Sequence, residues 1–299
     1  MNQEELAAAG YRAGWRLVRK VPRRWARYFF RRIADLTSSD GRGLDQLRKN
    51  LTRVVGAENV TRSLVRDSMR SYMRYWCEAF RLPSVHSDPQ LVANLDASLE
   101  GREHLLRSLD SGRGVVLALP HSGNWDMAGV LLVHLAGSFT TVAERLRPES
   151  LYQDFVNFRE TLGFRVIPHS GGDTRPYELL KNSLSKGGVV ALLAERDLTR
   201  SGVPVSFFGE QASMAAGPAQ LAIETGAALH VVHVWYPDDN SWAFSCSPEI
   251  PADTLEATTQ RMADKFAENI SRHPADWHML QPLWEADLDP RRRTKTKRG

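Results

Sequence analysis

The 299-residue chain has two cysteines, Cys77 and Cys246, far apart and outside any C-x-x-C spacing. That argues against a disulfide framework or a cysteine-built zinc site, and makes a reducing compartment the expectation. The chain also lacks any run of about 18 apolar residues, the length a membrane-crossing helix needs. Its opening, Met-Asn-Gln-Glu-Glu, has no basic stretch feeding an apolar core, so no secretory signal is expected. No internal repeat is visible, and neither Ser122 nor Ser213 stands in a nucleophile-elbow pattern. Hydrophobic and charged shares of 42% and 25% are ordinary for a globular protein with a sizeable core.

What is present is an uneven distribution of charge. Residues 1–75 hold seventeen Lys/Arg against seven Asp/Glu, and residues 291–298 add six more basic groups. The remaining stretch holds sixteen basic and twenty-eight acidic residues, so ends of about +16 flank a middle of about −12. Such asymmetry points to a polyanionic surface as the partner of both termini.

Between Arg12 and Arg32 lie nine Arg/Lys and no acid. Trp15, Val18, Trp25, Phe29, Ile33 and Leu36 recur at roughly helical spacing, and Pro22 is expected to kink or split the helix. Cations among aromatic rings suit the headgroup layer of an anionic bilayer. Arg12, Trp15, Arg16, Arg19, Arg23, Arg24, Trp25 and Arg27 are therefore the candidate membrane contacts. The rival reading packs the apolar stripe on the protein's own core. No nucleic-acid module is visible in the spacing, so nucleic acid is not the expected partner.

From about Leu99 short apolar strands alternate with helical patterns. Val115–Leu119, Thr140–Ala143, Arg165–Ile167, Val189–Ala194, Leu229–Trp235 and Trp242–Cys246 read as strands. Asn124–Ala136, Glu149–Thr161, Thr174–Ser185, Ala216–Thr225 and Asp253–Ser271 read as helices. The alternation predicts a single-domain α/β fold with a mostly parallel central sheet flanked by helices, its site at the carboxyl ends of strands. A basic amphipathic helical segment precedes it. The expected division is an N-terminal helical region over 1–97 packed on a body over 98–289, with a disordered basic tail over 290–299.

The most informative passage is Leu117-Ala-Leu-Pro-His121-Ser-Gly-Asn-Trp-Asp126. An apolar run stops at Pro120, a turn-forming Ser122-Gly123-Asn124 follows, and a second apolar stretch begins. Residues five apart on one helix would sit roughly 140° apart. A turn instead lets Asp126 reach the ring of His121, the arrangement of a general base oriented by an acid. Asn124 is the expected N-cap. Glu144-Arg145 and Glu195-Arg196-Asp197 end two other apolar strands and converge on the same edge. Glu195 follows six apolar residues, which places it where a buried strand opens into the site.

His121-x4-Asp126, with Asn124 and Trp125 inside it, resembles the His-x4-Asp/Glu signature of the glycerolipid and lysophospholipid acyltransferase superfamily. Ala194-Glu-Arg-Asp197, Gly202-Val-Pro-Val-Ser-Phe-Phe-Gly209, Met214-Ala-Ala-Gly-Pro218 and His273-Pro-Ala-Asp-Trp277-His-Met resemble its lipid A lauroyl/myristoyl acyltransferase branch. Within that branch the pattern is most similar to the actinobacterial phosphatidylinositol mannoside acyltransferases, which carry Asp where many lipid A enzymes carry Glu.

The resemblance implies acyl transfer from acyl-CoA, palmitoyl-CoA in this branch, to a mannose 6-hydroxyl of mannosylated phosphatidylinositol. The place it implies is the cytoplasmic face of the plasma membrane, with the protein peripheral. His121 and Asp126 become the catalytic pair, and Glu144, Arg159, Glu195 and Asp197 the substrate-handling residues, with no bound cofactor and no metal. Trp277 and His278 read as packing. Three alternatives stay open: acylation of another lipid-linked hydroxyl, a metal-dependent hydrolase built on His121, Asp126 and Glu195, and a non-catalytic membrane-binding protein.

Overall fold

The computed structural model describes residue 10 and residues 14–143, 148–168, 175–197 and 201–288. Residues 14–20 are helical, and the helix breaks at Pro22, where the ring removes a backbone donor. It resumes as α1 (Arg23–Thr37), followed by α2 (Asp45–Val55), α3 (Arg62–Arg81) and α4 (Pro89–Ala97). The body then runs β1 (Leu99–Glu100), α5 (Arg102–Asp110), β2 (Val115–Leu119), α6 (Trp125–Ala136), β3 (Phe139–Ala143), α7 (Glu149–Thr161) and β4 (Phe164–Pro168). After these come α8 (Pro176–Leu184), β5 (Val189–Leu193), β6 (Val203–Phe207), β7 (Glu210–Met214), α9 (Gly217–Thr225), β8 (Ala228–Trp235), β9 (Ala243–Cys246) and α10 (Leu255–Arg272).

Seven strands form one sheet in the order β1-β9-β8-β2-β5-β3-β4, and β6 and β7 form a separate hairpin. Every pairing in the large sheet is parallel except β8 with β9. β2 lies inside the sheet with both faces covered, which is why its sequence is an unbroken Val-Val-Leu-Ala-Leu run. Its side chains alternate between two apolar layers. Val116 and Ala118 join Leu184, Leu221, Phe266 and Trp277 on one face. Val115, Leu117 and Leu119 join Leu105, Met127, Leu131 and Phe158 on the other.

The N-terminal helices are part of this second layer. Trp15, Leu82 and Leu95 belong to the same cluster as the β2 residues. No helix among the described residues is long and apolar enough to cross a membrane.

Candidate active site

The turn after β2 is clamped from several sides. Gly123 has φ +57°, and a Cβ there would meet the Val234 carbonyl oxygen at 2.6 Å, so only glycine fits. Ser122 is fully buried; its hydroxyl donates to the Val234 carbonyl at 2.6 Å and lies 3.1 Å from His233 Nδ1. Those bonds make it a structural serine. The Gly123 amide donates to the Asp276 carbonyl at 2.9 Å and the His278 amide to the His121 carbonyl at 2.7 Å. Asn124 caps α6 by accepting from the Met127 amide at 3.0 Å, and its own amide donates to buried Glu78 at 2.9 Å.

This scaffold brings His121 to Glu195. His121 Nδ1 lies 2.8 Å from Glu195 Oε1, and the same oxygen accepts the His121 backbone amide at 2.8 Å. Leu119 pairs with Leu193 in the β2–β5 ladder, so continuing each strand by two residues sets 121 opposite 195. The Glu195 side chain is 0% exposed and that of His121 40% exposed. Burial works against a charged imidazole here, but the Glu195 carboxylate outweighs it and raises the His121 pKa above the ordinary histidine range. Burial likewise pushes the Glu195 carboxyl up, and the His121 charge with the hydrogen bonds brings its pKa below the usual value. With Nδ1–H donating to Glu195, Nε2 is left with its lone pair as the basic atom.

The expected contact between Asp126 and His121 is not made. Asp126 is buried in the first turn of α6, where Oδ1 accepts from Arg159 Nε at 2.9 Å and Oδ2 from the Tyr75 hydroxyl at 3.0 Å. The physical reason is direction: the turn sends His121 back toward β5, whereas the α6 start aims Asp126 at α3 and α7. Arg159 is largely buried; burial opposes its charge, but Asp126 outweighs it and raises its pKa. Tyr75 stacks on Trp125 at 3.8 Å between ring centres, and Trp125 meets the His121 ring edge-on at 5.5 Å.

His121, Asp126 and Arg159 line one cavity of about 590 Å³. Arg196 and His278 add polar groups, and Leu117, Leu132, Phe139 and Phe164 carry the lining inward as an apolar pocket between the sheet and α6. A base and a guanidinium lining one largely apolar cavity suit chemistry on a polar group that carries a hydrocarbon chain.

The bacterial lipid A biosynthesis acyltransferase pattern matches residues 6–286. The chain belongs to that family. A phosphatidylinositol mannoside acyltransferase of Mycolicibacterium smegmatis is 54% identical over 290 residues, covering 96% of this chain and 94% of that protein. Proteins of the same description from Mycobacterium tuberculosis are 51% identical over 291 residues, covering 96% of this chain and 91% of theirs.

As a member of this family the chain carries its polar groups around His121, but not all those expected from sequence. Glu144 and Arg12 lie outside the described residues, as does the tail from 289 onward. Asp197 does not line the cavity; its amide donates to the Ser213 carbonyl and its carboxylate faces Ser201. Arg196, one residue earlier, lines it instead.

Trp15 is a correction. It is buried, its Nε1 donates to the Phe80 carbonyl at 2.8 Å, and its ring packs on Phe80, Phe155 and Phe158, so it is a core residue rather than a membrane contact. His278 is more than packing. Its ring lines the cavity, and burial with the nearby His121 pushes its pKa down to about 3, which keeps it neutral. Tyr75 was invisible to motif reading, because nothing in Ser-Tyr-Met-Arg-Tyr75 marks it. Among the described residues no three His, Cys, Asp or Glu side chains are grouped to hold a metal ion.

Proposed function

We propose that this protein transfers a fatty acyl group, palmitoyl, from acyl-CoA to the 6-hydroxyl of a mannose on phosphatidylinositol mannoside at a membrane surface. The observation that carries the reading is the His121–Glu195 pair on an apolar cavity, in a chain about half identical to proteins named phosphatidylinositol mannoside acyltransferase.

In this mechanism His121 Nε2 takes the proton of the mannose hydroxyl as it attacks the thioester carbonyl. Glu195, already bonded to Nδ1–H, stabilises the imidazolium that forms. The guanidinium of Arg159, fixed by Asp126, offers charge to the oxyanion. Collapse of the tetrahedral intermediate breaks the carbon–sulfur bond, and CoA leaves as the thiolate, which receives the proton from His121. Asp126 thus acts through Arg159 as a positioning residue. The acyl chain lies in the apolar part of the cavity.

We place that membrane surface on the cytoplasmic side, and exposed apolar and basic groups support the membrane contact itself. Trp25, Phe29, Ile33 and Leu36 form an exposed apolar ridge on α1, at 49%, 54%, 43% and 76% exposure, with Leu17 nearby in sequence. Arg16, Arg19, Arg23, Arg24 and Arg27 belong to the same stretch, although Arg19 and Arg27 also bond protein oxygens. A direct test supplies purified protein with palmitoyl-CoA and mannosylated phosphatidylinositol and follows CoA release. The expected result is release that depends on the acceptor and falls by about 10²-fold or more in His121→Ala. Release at the same rate with lipid A precursors or lysophospholipids replacing the mannolipid would reject the acceptor assignment.

A further inference from the structure

The segment that clasps the His121 turn also carries a buried polar chain. The Asp276 carbonyl accepts from the Gly123 amide at 2.9 Å, and the His278 amide donates to the His121 carbonyl at 2.7 Å. The side chains of the same two residues meet at Ser71 on α3. Its hydroxyl donates to Asp276 Oδ1 at 2.6 Å and lies 2.9 Å from His278 Nε2. Asp276 Oδ2 accepts from the Tyr236 amide at 3.0 Å. Burial raises the Asp276 pKa, against the pull of those two donors and of the Arg74 charge. Ser71 and His278 are both buried.

This chain fixes which nitrogen of His278 bears hydrogen. Ser71 has one hydrogen to give, and 2.6 Å is the length of a charge-assisted bond from a hydroxyl to a carboxylate, so it goes to Asp276. Toward His278 the Ser71 oxygen can then only accept, which makes Nε2 the N–H. A neutral ring with hydrogen on Nε2 carries its lone pair on Nδ1. Nδ1 is buried and has no hydrogen-bond partner among the described residues. Ser71 and Asp276 stand outside the catalytic cavity whereas the His278 ring lines it, so Nδ1 is the nitrogen left for that cavity. A buried acceptor without a donor costs free energy that a bound donor restores.

The surroundings of the ring say which donor fits. Tyr72 and Trp125 meet it edge-on at 5.5 Å and 6.0 Å between ring centres, and the Tyr75 hydroxyl is spent on Asp126. Trp125 also meets His121 at 5.5 Å, so the two imidazoles flank one indole. A sugar whose reacting hydroxyl reaches His121 brings its other hydroxyls into the same aromatic enclosure. Each of those is a donor that a lone pair can take, whereas a hydrocarbon chain offers none.

We propose that His278 Nδ1 accepts a hydrogen bond from a second hydroxyl of the acceptor sugar, with Ser71 and Asp276 as positioning residues that set its tautomer. This rests on the acyl-transfer reading above and adds to it a residue that recognises the acceptor. CoA release by the full-length protein is measured with mannosylated phosphatidylinositol and with versions lacking one mannose hydroxyl other than the reacting one. His278→Gln should lower kcat/KM for the acceptor by about tenfold and leave KM for palmitoyl-CoA unchanged. His278→Asn, whose amide oxygen reaches the Nδ1 position, should keep most of the activity. One deoxy acceptor should be about tenfold poorer with the unaltered protein and no poorer still with His278→Gln.

Equal losses in the Asn and Gln variants, a raised KM for palmitoyl-CoA, or a further loss on every deoxy acceptor would overturn the proposal. Thermal melting checks that the variants fold. Should His278→Gln not fold, Ser71→Ala is expected to lower kcat/KM for the acceptor at constant KM for palmitoyl-CoA, and full retention there counts against the chain. Nitrogen NMR of protein carrying isotope-labelled histidine reads the tautomer without turnover. Hydrogen on His278 Nε2 is the expected result, and hydrogen on Nδ1 would overturn the proposal. CoA release from no acceptor by the unaltered protein would reject the acyltransferase reading and the sugar contact with it, while the nitrogen spectrum still decides the tautomer.

Discussion

His121 and Glu195 face one another across neighbouring parallel strands, 74 residues apart in sequence, and share two hydrogen bonds to a single carboxylate oxygen. One bond fixes the ring and the other fixes the backbone that carries it. The acid therefore sets tautomer, ring plane and proton affinity together, a combination that Asp126, turned toward Arg159, does not supply.

Replacing Glu195 by Gln should lower turnover by roughly 10²–10⁴-fold and change the pH profile. Glu195 raises the His121 pKa, so removing its charge lowers it. The base is then deprotonated down to a lower pH, and the acid limb of kcat/KM moves downward. A profile with an unmoved acid limb would reject the pairing.

Asp126→Asn should separate the second acid from the first. It leaves the largely buried Arg159 without its counter-charge, a defect of about 3–5 kcal/mol for buried pairs. Both Tm and kcat should fall, while the acid limb stays where Glu195 puts it. An acid limb shifted as far as in Glu195→Gln would mean that Asp126 acts directly on the imidazole.

Chain length should answer to Phe164. Phe139 pairs with Phe164, and the Thr140–Val190 and Val115–Val189 pairings set Phe139 level with the start of β2. From there to His121 is about 20 Å at roughly 3.3 Å per residue. A sixteen-carbon chain is similar, at about 1.25 Å per carbon from bonds of about 1.5 Å. A Cβ on Gly129 would lie 2.3 Å from the Phe164 ring tip. Gly129→Ala should push that ring into the cavity and shift preference to shorter acyl-CoAs, and Phe164→Ala should favour longer ones. Unchanged chain-length profiles in both variants would remove Phe164 as the floor.

Vesicle binding should depend on the exposed ridge and weaken with salt. Trp25→Ser with Phe29→Ser should reduce sedimentation on anionic vesicles by about tenfold or more, and raising ionic strength should weaken binding by screening the arginines. Trp15→Ser should act differently, lowering Tm because that ring is core. Undiminished sedimentation of the ridge variant would place the membrane elsewhere.

Most of the body was legible in the sequence because each buried strand is a short apolar run closed by a turn residue. The six expected strands recur within a residue or two, and Pro22 splits the first helix as its ring requires. The β6–β7 hairpin was overlooked, although Val203-Pro-Val-Ser-Phe207 alternates and Phe208-Gly209 makes its turn. The partner of His121 was harder to see. Local spacing favoured Asp126, whereas Glu195 arrives through strand register, a long-range property that the sequence does not display. Trp15 misled for a related reason. An amphipathic pattern shows that a helix has a greasy side but not whether protein or lipid covers it.

The far end of the polypeptide closes the turn that holds the base: Ser122 bridges Trp277, and the His278 amide grips the His121 carbonyl. A nascent chain has translated His121 and Glu195 long before those clasps exist. Its imidazole gains its final setting only once residues 277 and 278 have left the ribosome, so chains halted or clipped before that point would carry His121 on an unclasped turn.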